Sequence, residues 1–173
     1  MLEVRLYGDP VLRKIAEPID KFDDVLHKLI EDMTETLRAE DGVGLAAPQV
    51  GESVRLVLID VTGGEKDPIV FINPVIFDPS EQKESGDEGC LSLPGITLSV
   101  NRHVRVSVRA QNAEGKEFVI ENAEGLLAIA LQHEIDHLNG LMIVDHVSAL
   151  QKTMLSNKLK KLKNPSRDKS QTS

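Results

Sequence analysis

Gln132-His133-Glu134-Ile135-Asp136-His137-Leu138 is the stretch around which the rest of the chain is arranged. It contains His-Glu-x-x-His. On a helix the two histidines stand one turn apart and about 40° from each other round the axis, so both imidazoles face one point where a divalent cation can sit. Glu134 lies about 60° from His137 by the same geometry, close enough to reach a water on that cation without being a ligand. Two nitrogens to hold a metal and a carboxylate to handle a proton are the parts needed for metal-assisted hydrolysis. The preceding run, Gly125-Leu126-Leu127-Ala128-Ile129-Ala130-Leu131, is apolar nearly all round. It predicts a buried helix over residues 124–139, closed by Asn139-Gly140 with Gly140 as a left-handed cap. Buried polar side chains need partners, and a metal ion supplies one.

A catalytic metal site usually takes three protein ligands and keeps one position open. The helix offers His133 and His137. By chemistry the best third ligand is Cys90, the single cysteine, which sits in Asp87-Glu88-Gly89-Cys90-Leu91-Ser92-Leu93-Pro94. That segment reads as turn-rich, unlike the apolar setting of most lone cysteines. A thiolate beside two imidazoles suits zinc or ferrous iron, and also cobalt or nickel. A nearby cation would keep the thiol deprotonated. Glu134 is then the general base, returning its proton to a leaving amine. Upstream, Gly42-Val43-Gly44-Leu45-Ala46-Ala47-Pro48-Gln49 reads as a loop whose glycines let backbone come close to a substrate. The Gln49 side-chain amide and the Leu91 backbone N–H are candidate donors to a developing oxyanion.

Composition narrows the class. The 173 residues suit one compact domain. We expect a single catalytic domain over 1–163 and a polar, disordered tail over 164–173. A net charge of −8 and an aromatic content of 3% without Trp argue against DNA as a partner. Apolar runs are too short for a membrane span. Residues 1–10 carry Glu3, Arg5 and Asp9 and no signal-peptide core, so a cytoplasmic location is expected, with an organellar one after transit-peptide removal left open. One cysteine excludes an intramolecular disulfide.

The remaining pattern predicts an α+β fold: antiparallel or mixed β-sheets packed around a central metal-binding helix, with an N-terminal and a C-terminal helix. A short helix is expected over 10–16 and an amphipathic one over 22–37, on Phe22, Val25, Leu26, Leu29, Ile30, Met33 and Leu37. Strands are expected over 55–60, 69–73, 75–77, 104–109 and 117–121, with Asn112-Ala113-Glu114-Gly115 as a hairpin turn. A last strand is expected over 141–144. A terminal helix over 149–162 would carry Leu150, Met154, Leu155, Leu159 and Leu162 on one side. The basic residues of the C-terminus contrast with the acidic body and read as a solvated face or as a docking element for an anionic partner.

Three segments, Gly42–Gln49, Glu88-Gly89-Cys90-Leu91-Ser92 and Gln132–His137, together resemble the three motifs of peptide deformylases in the same order, and Tyr7-Gly8-Asp9-Pro10-Val11-Leu12-Arg13 is similar to that family's N-terminus. The resemblance covers residues 5–146. It implies removal of the formyl group from N-formylmethionyl nascent polypeptides. It implies one divalent metal ion, commonly Fe(II), on Cys90, His133 and His137, with Glu134 as base and Gln49 and Leu91 on the oxyanion. Val43, Leu126, Ile129, Ala130 and the His133 ring would line the methionine pocket, the Gly44 backbone would pair with the substrate, and Gly89 is a further substrate-binding candidate. Glu88 and Asp136 are candidates to support the ligands from behind. Thr97 stands where some members carry an Arg that helps bind peptide. The extended C-terminal helix resembles that of members that dock on the ribosome. The rival readings are a metallopeptidase of another type, for which no further downstream ligand follows at the usual spacing, and a metal-binding module that has lost catalysis, for which Glu134 and Gln49 would be superfluous.

Overall fold

The computed structural model describes residues 1–163; the tail expected over 164–173 lies outside the described residues. The chain opens with a short helical turn, Pro10–Arg13, whose first free N–H, that of Val11, is capped by Asp9 at 3.1 Å. Helix α1 (Asp24–Ala39) follows, with Asp23 accepting from the Leu26 N–H at 3.0 Å. Then come β1 (Gly44–Ala46), β2 (Leu56–Ile59), β3 (Ile69–Phe77), β4 (Lys83–Gly89), β5 (Thr97–His103), β6 (Arg105–Gln111) and β7 (Glu117–Glu124). Helix α2 (Gly125–Leu138) carries the His-Glu-x-x-His stretch, and α3 (Ala149–Met154) and α4 (Ser156–Lys163) close the described chain. The fold is α+β, as expected.

One sheet has the order β1-β2-β3-β6-β7 and a second consists of β4-β5, with every paired strand antiparallel. In β2 all four residues, Leu56, Val57, Leu58 and Ile59, are buried, because both faces of the sheet are covered there. Val57 and Ile59 pack with Leu131, Ile135 and Leu138 of α2, while Leu56 and Leu58 pack with Met33 and Leu37 of α1. Each such side chain contributes about 1.5–3 kcal/mol of apolar burial. A third cluster joins Leu12, Leu98, Val100, Ile143 and Leu159, tying the N-terminal turn and the C-terminal helix to β5. Helix α2 thus lies between the large sheet and the small one.

Several expectations are corrected. The segment expected as a loop at 42–49 contains the edge strand β1 and a helical turn, Ala47–Val50. The strands expected over 69–73 and 75–77 are one strand with a bulge between Ile72 and Val75. Pro74 has no N–H for the ladder, and Asn73 takes a left-handed φ of 52° while its side chain bonds both backbone groups of Ile19. The β4-β5 hairpin was not predicted at all: β4 is exposed except at Glu88 and shows no apolar alternation. Residues 141–144 form no strand; Ile143–His146 is a helical turn, with Asp145 accepting from the Met142 N–H at 2.8 Å. The terminal helix breaks at Leu155, so Leu150 and Met154 stay exposed while Leu159 of α4 turns into the third cluster. Val25 of α1 also faces solvent. No helix among the described residues is long and apolar enough to cross a membrane.

Asp145 fastens the two chain ends. Its Oδ2 lies 2.6 Å from Arg13 Nη1, which also donates to the Gly140 carbonyl at 3.1 Å. Burial opposes its charge, but the bonds from Arg13 and Met142 hold its pKa below 3.8. A carboxyl whose pKa is depressed on folding stabilises the fold above its ordinary pKa and loses that contribution as pH falls through the folded value. Asp145→Asn is therefore expected to cost about 1 kcal/mol in denaturant unfolding at pH 7. The gap to wild type should shrink toward zero as pH falls through and below the folded pKa; a gap unchanged between neutral and strongly acid pH would refute the assignment.

Candidate metal centre

The strand β7 runs straight into α2, and the change of direction is made at Gly125 with φ of 60°. Four turns later Gly140, φ 76°, ends the helix as expected; a Cβ there would stand 2.7 Å from the Arg13 carbonyl oxygen. Between these points His133, Glu134 and His137 are all buried. The two imidazole centroids are 5.2 Å apart. Cys90, just past the end of β4, brings its Sγ to 3.4 Å from His137 Nε2. One ligand atom from each of Cys90, His133 and His137 lies within 4.8 Å of the others. The three candidate ligands, scattered over 48 positions of sequence, therefore meet at one place, as the sequence reading placed them.

The surroundings fit a cation. Glu88 Oε1 is 2.9 Å from His133 Nδ1, which leaves Nε2 as the nitrogen of that ring available to a metal. Burial opposes charge on His133, but its contacts with Cys90 and Glu88 outweigh it and raise its pKa to about 10: positive charge is favoured at this spot. His137 is pushed the other way by burial and stays a neutral donor ring. Two imidazoles and a thiol converging on one point are a donor set for zinc or ferrous iron. Glu134 Oε2 is buried without a hydrogen-bond partner among the described residues. Burial raises the Glu134 pKa to about 7, against the pull of the His133 and Arg102 charges. A carboxyl so placed is ready to exchange a proton near neutral pH.

The other predicted residues fall around the same point. Gln49 is buried; its Oε1 accepts from the Ala46 N–H at 3.0 Å, which orients the amide so that Nε2 faces Ser92 Oγ at 3.2 Å and Cys90 Sγ at 3.5 Å. A cleft of about 580 Å³ opens on the centre, and Val43, Gly44, Gln49, Gly89, Leu91, Leu126, Ile129 and Ala130 all line it together with Glu134. Val43 and Leu126 stand at its exposed rim, whereas Ala130 is buried. Thr97 lies on the same wall. Gly44 has no room for a side chain: a Cβ would meet Glu134 Oε1 at 2.7 Å.

Arg102 was missed. It is 5% exposed and donates from Nε and Nη2 to the two oxygens of Glu88, both at 3.0 Å, and from Nη1 to Asp136 Oδ2 at 2.7 Å. Burial opposes the charge of Glu88, yet the bonds from His133 and Arg102 hold its pKa at about 2. A signal existed: in Leu98-Ser99-Val100-Asn101-Arg102 the strict alternation puts Arg102 on the buried face. Gln132 was likewise passed over; it bonds both backbone groups of His103 and so stitches β5 to α2.

The family model for polypeptide deformylase matches residues 1–153. A peptide deformylase of Thermotoga petrophila is 49% identical over 159 residues, 92% of this chain and 94% of that protein. One of Brucella suis is 46% identical over 156 residues, 89% of each. The crystal structure of a peptide deformylase from Legionella pneumophila superposes with a TM-score of 0.89 at 45% identity, covering 96% of this chain and 98% of that one. These matches span nearly the whole sequence, and the chain belongs to the polypeptide deformylase family.

Proposed function

We propose that the cleft carries out the deformylation after which the family is named, removing the formyl group from N-formylmethionyl peptides as formate, with Cys90, His133 and His137 holding one divalent ion, Fe(II) in the cell. The observation that carries the assignment of roles is the buried Glu134 carboxylate, with Oε1 3.9 Å from His133 Nε2 and Oε2 without a hydrogen-bond partner among the described residues, in the wall of the cleft that Cys90 and His133 also line. When bound, the ion polarises the formyl oxygen and acidifies water held there. Glu134 accepts the proton of the attacking water and passes it to the amine nitrogen as the C–N bond breaks, so formate and a free N-terminus leave. The Gln49 amide and the Leu91 N–H face the carbonyl oxygen as negative charge develops on it; one such donor contributes on the order of 3 kcal/mol. Val43, Leu126, Ile129 and Ala130 take the methionine side chain, and the Gly44 and Gly89 backbones flank the peptide. We place this activity in the cytoplasm on nascent chains. Lys158, Lys160, Lys161 and Lys163 of α4 give the ribosome's anionic surface a basic face to meet.

Formate release from formyl-Met-Ala-Ser by protein loaded with iron under anaerobic conditions is the direct test, with the acetylated and uncapped peptides as controls. Cleavage of an internal bond without formate would overturn the reading. Glu134→Gln is expected to lower kcat by at least about 10²-fold while the metal content stays at one ion per chain. Gly44→Ala, whose new methyl must displace the Glu134 carboxylate, is expected to lower kcat on the order of 10²-fold. Gly86→Ala, where a Cβ meets nothing, should leave kcat unchanged; equal effects of the two alanines would contradict the role given to Glu134.

A further inference from the structure

The support behind His133 does not stop at Glu88 and Arg102. Asp136 Oδ2, which receives Arg102 Nη1 at 2.7 Å, also lies 2.8 Å from His146 Nε2. Four contacts thus connect His146 to a metal ligand: His146 to Asp136, Asp136 to Arg102, Arg102 to Glu88, and Glu88 to His133. Exposure rises outward along the chain of contacts, from 6% for the Arg102 side chain to 21% for Asp136 and 29% for His146. Asp136 is on α2, and Arg102 is on β5, so the pair spans the gap between the metal-bearing helix and the small sheet.

His146 is well fixed for such a task. It is the last residue of the turn Ile143–His146, whose Ile143 and Val144 are buried and whose Asp145 is paired with Arg13. Its tautomer follows from its neighbours. Asp136 is an acceptor, and Arg102 Nη1, 3.5 Å from the same ring nitrogen, is a donor, so Nε2 must carry hydrogen and donate to Asp136. A partly exposed carboxylate can otherwise turn toward water. Held by the imidazole, it keeps its oxygen on Arg102 Nη1, and Arg102 keeps Nε and Nη2 on Glu88.

We propose that His146 is a positioning residue for the metal centre, locking Asp136 onto Arg102 and thereby setting the Glu88 carboxylate that orients the His133 ring. This rests on the reading of Cys90, His133 and His137 as metal ligands. The test is cobalt titration of the metal-depleted full chain, read by visible absorption and by chelator competition, for wild type, His146→Ala and His146→Gln. Gln keeps an N–H donor on a side chain of similar reach. Loss of a group directly behind a ligand typically costs 10–100-fold in metal affinity; three contacts further out, His146→Ala is expected to weaken cobalt binding about threefold to tenfold and to shift the cobalt absorption bands, and His146→Gln to restore both toward wild type. Thermal unfolding of the metal-depleted variants separates this from a general loss of stability, which would leave the bands of the bound cobalt unmoved. Wild-type affinity and spectrum in His146→Ala, or equal losses in Ala and Gln, would overturn the role of His146. Failure of the wild-type chain to bind one cobalt would instead overturn the ligand assignment beneath it.

Discussion

Two imidazoles and a carboxylate on a helix covered on both sides create a demand for partners that apolar packing cannot meet. Helix α2 lies between a five-stranded and a two-stranded sheet, and His133, Glu134 and His137 are all inside. Burying a charged or polar group without a partner costs several kcal/mol. The structure answers His133 with Glu88, Glu88 with Arg102, and Arg102 with a second carboxylate, Asp136. Removing Arg102 would leave two carboxylates without their shared cation, and removing Glu88 would strip the buried Arg102 of its bidentate partner. What remains without a partner among the described residues is Glu134 Oε2 and His137 Nδ1, and the other oxygen of the Glu134 carboxylate lies 3.9 Å from His133 Nε2.

The small sheet has a double task that explains its odd composition. On its outer side β4 is nearly all exposed, and its charged and glycine residues give no pattern a strand search would detect. Its one buried residue is Glu88, and it ends one residue before Cys90. The hairpin partner β5 alternates cleanly, with Leu98 and Val100 in the third core cluster and Arg102 at the end of the same face. The same strand that anchors this sheet by apolar burial therefore carries in the cation on which Glu88 depends.

The extent to which the sequence was legible follows from range. The His-Glu-x-x-His spacing, the apolar run before it and the Gly140 cap are local, and α2 formed as read. The amphipathic stripe of α1 and the Asn112–Gly115 turn were local too. What failed depended on partners far away in the chain. Strand β4 exists only because β5 pairs with it, β1 because it adds to the edge of β2. The break at Leu155 depends on α4 finding the cluster around Leu12 and Val100. Arg102 was missed because an arginine within a strand gives no sign of which acids it will meet. The meeting of Cys90 with the histidines was inferred from chemistry and resemblance, since spacing alone is silent on it.

Helix α2 has no slack at either end. The last residue of β7 adjoins its first, and Gly140 lies so close to the Arg13 backbone that the exit is blocked to any other residue. Inserting one residue between His133 and His137 would turn everything beyond it by about 100° and lift it about 1.5 Å, swinging one imidazole out of register with the other. The Gly63-Gly64 loop, where a Cβ meets no neighbour among the described residues, has room for an added residue, whereas the span from Gly125 to Gly140 has none.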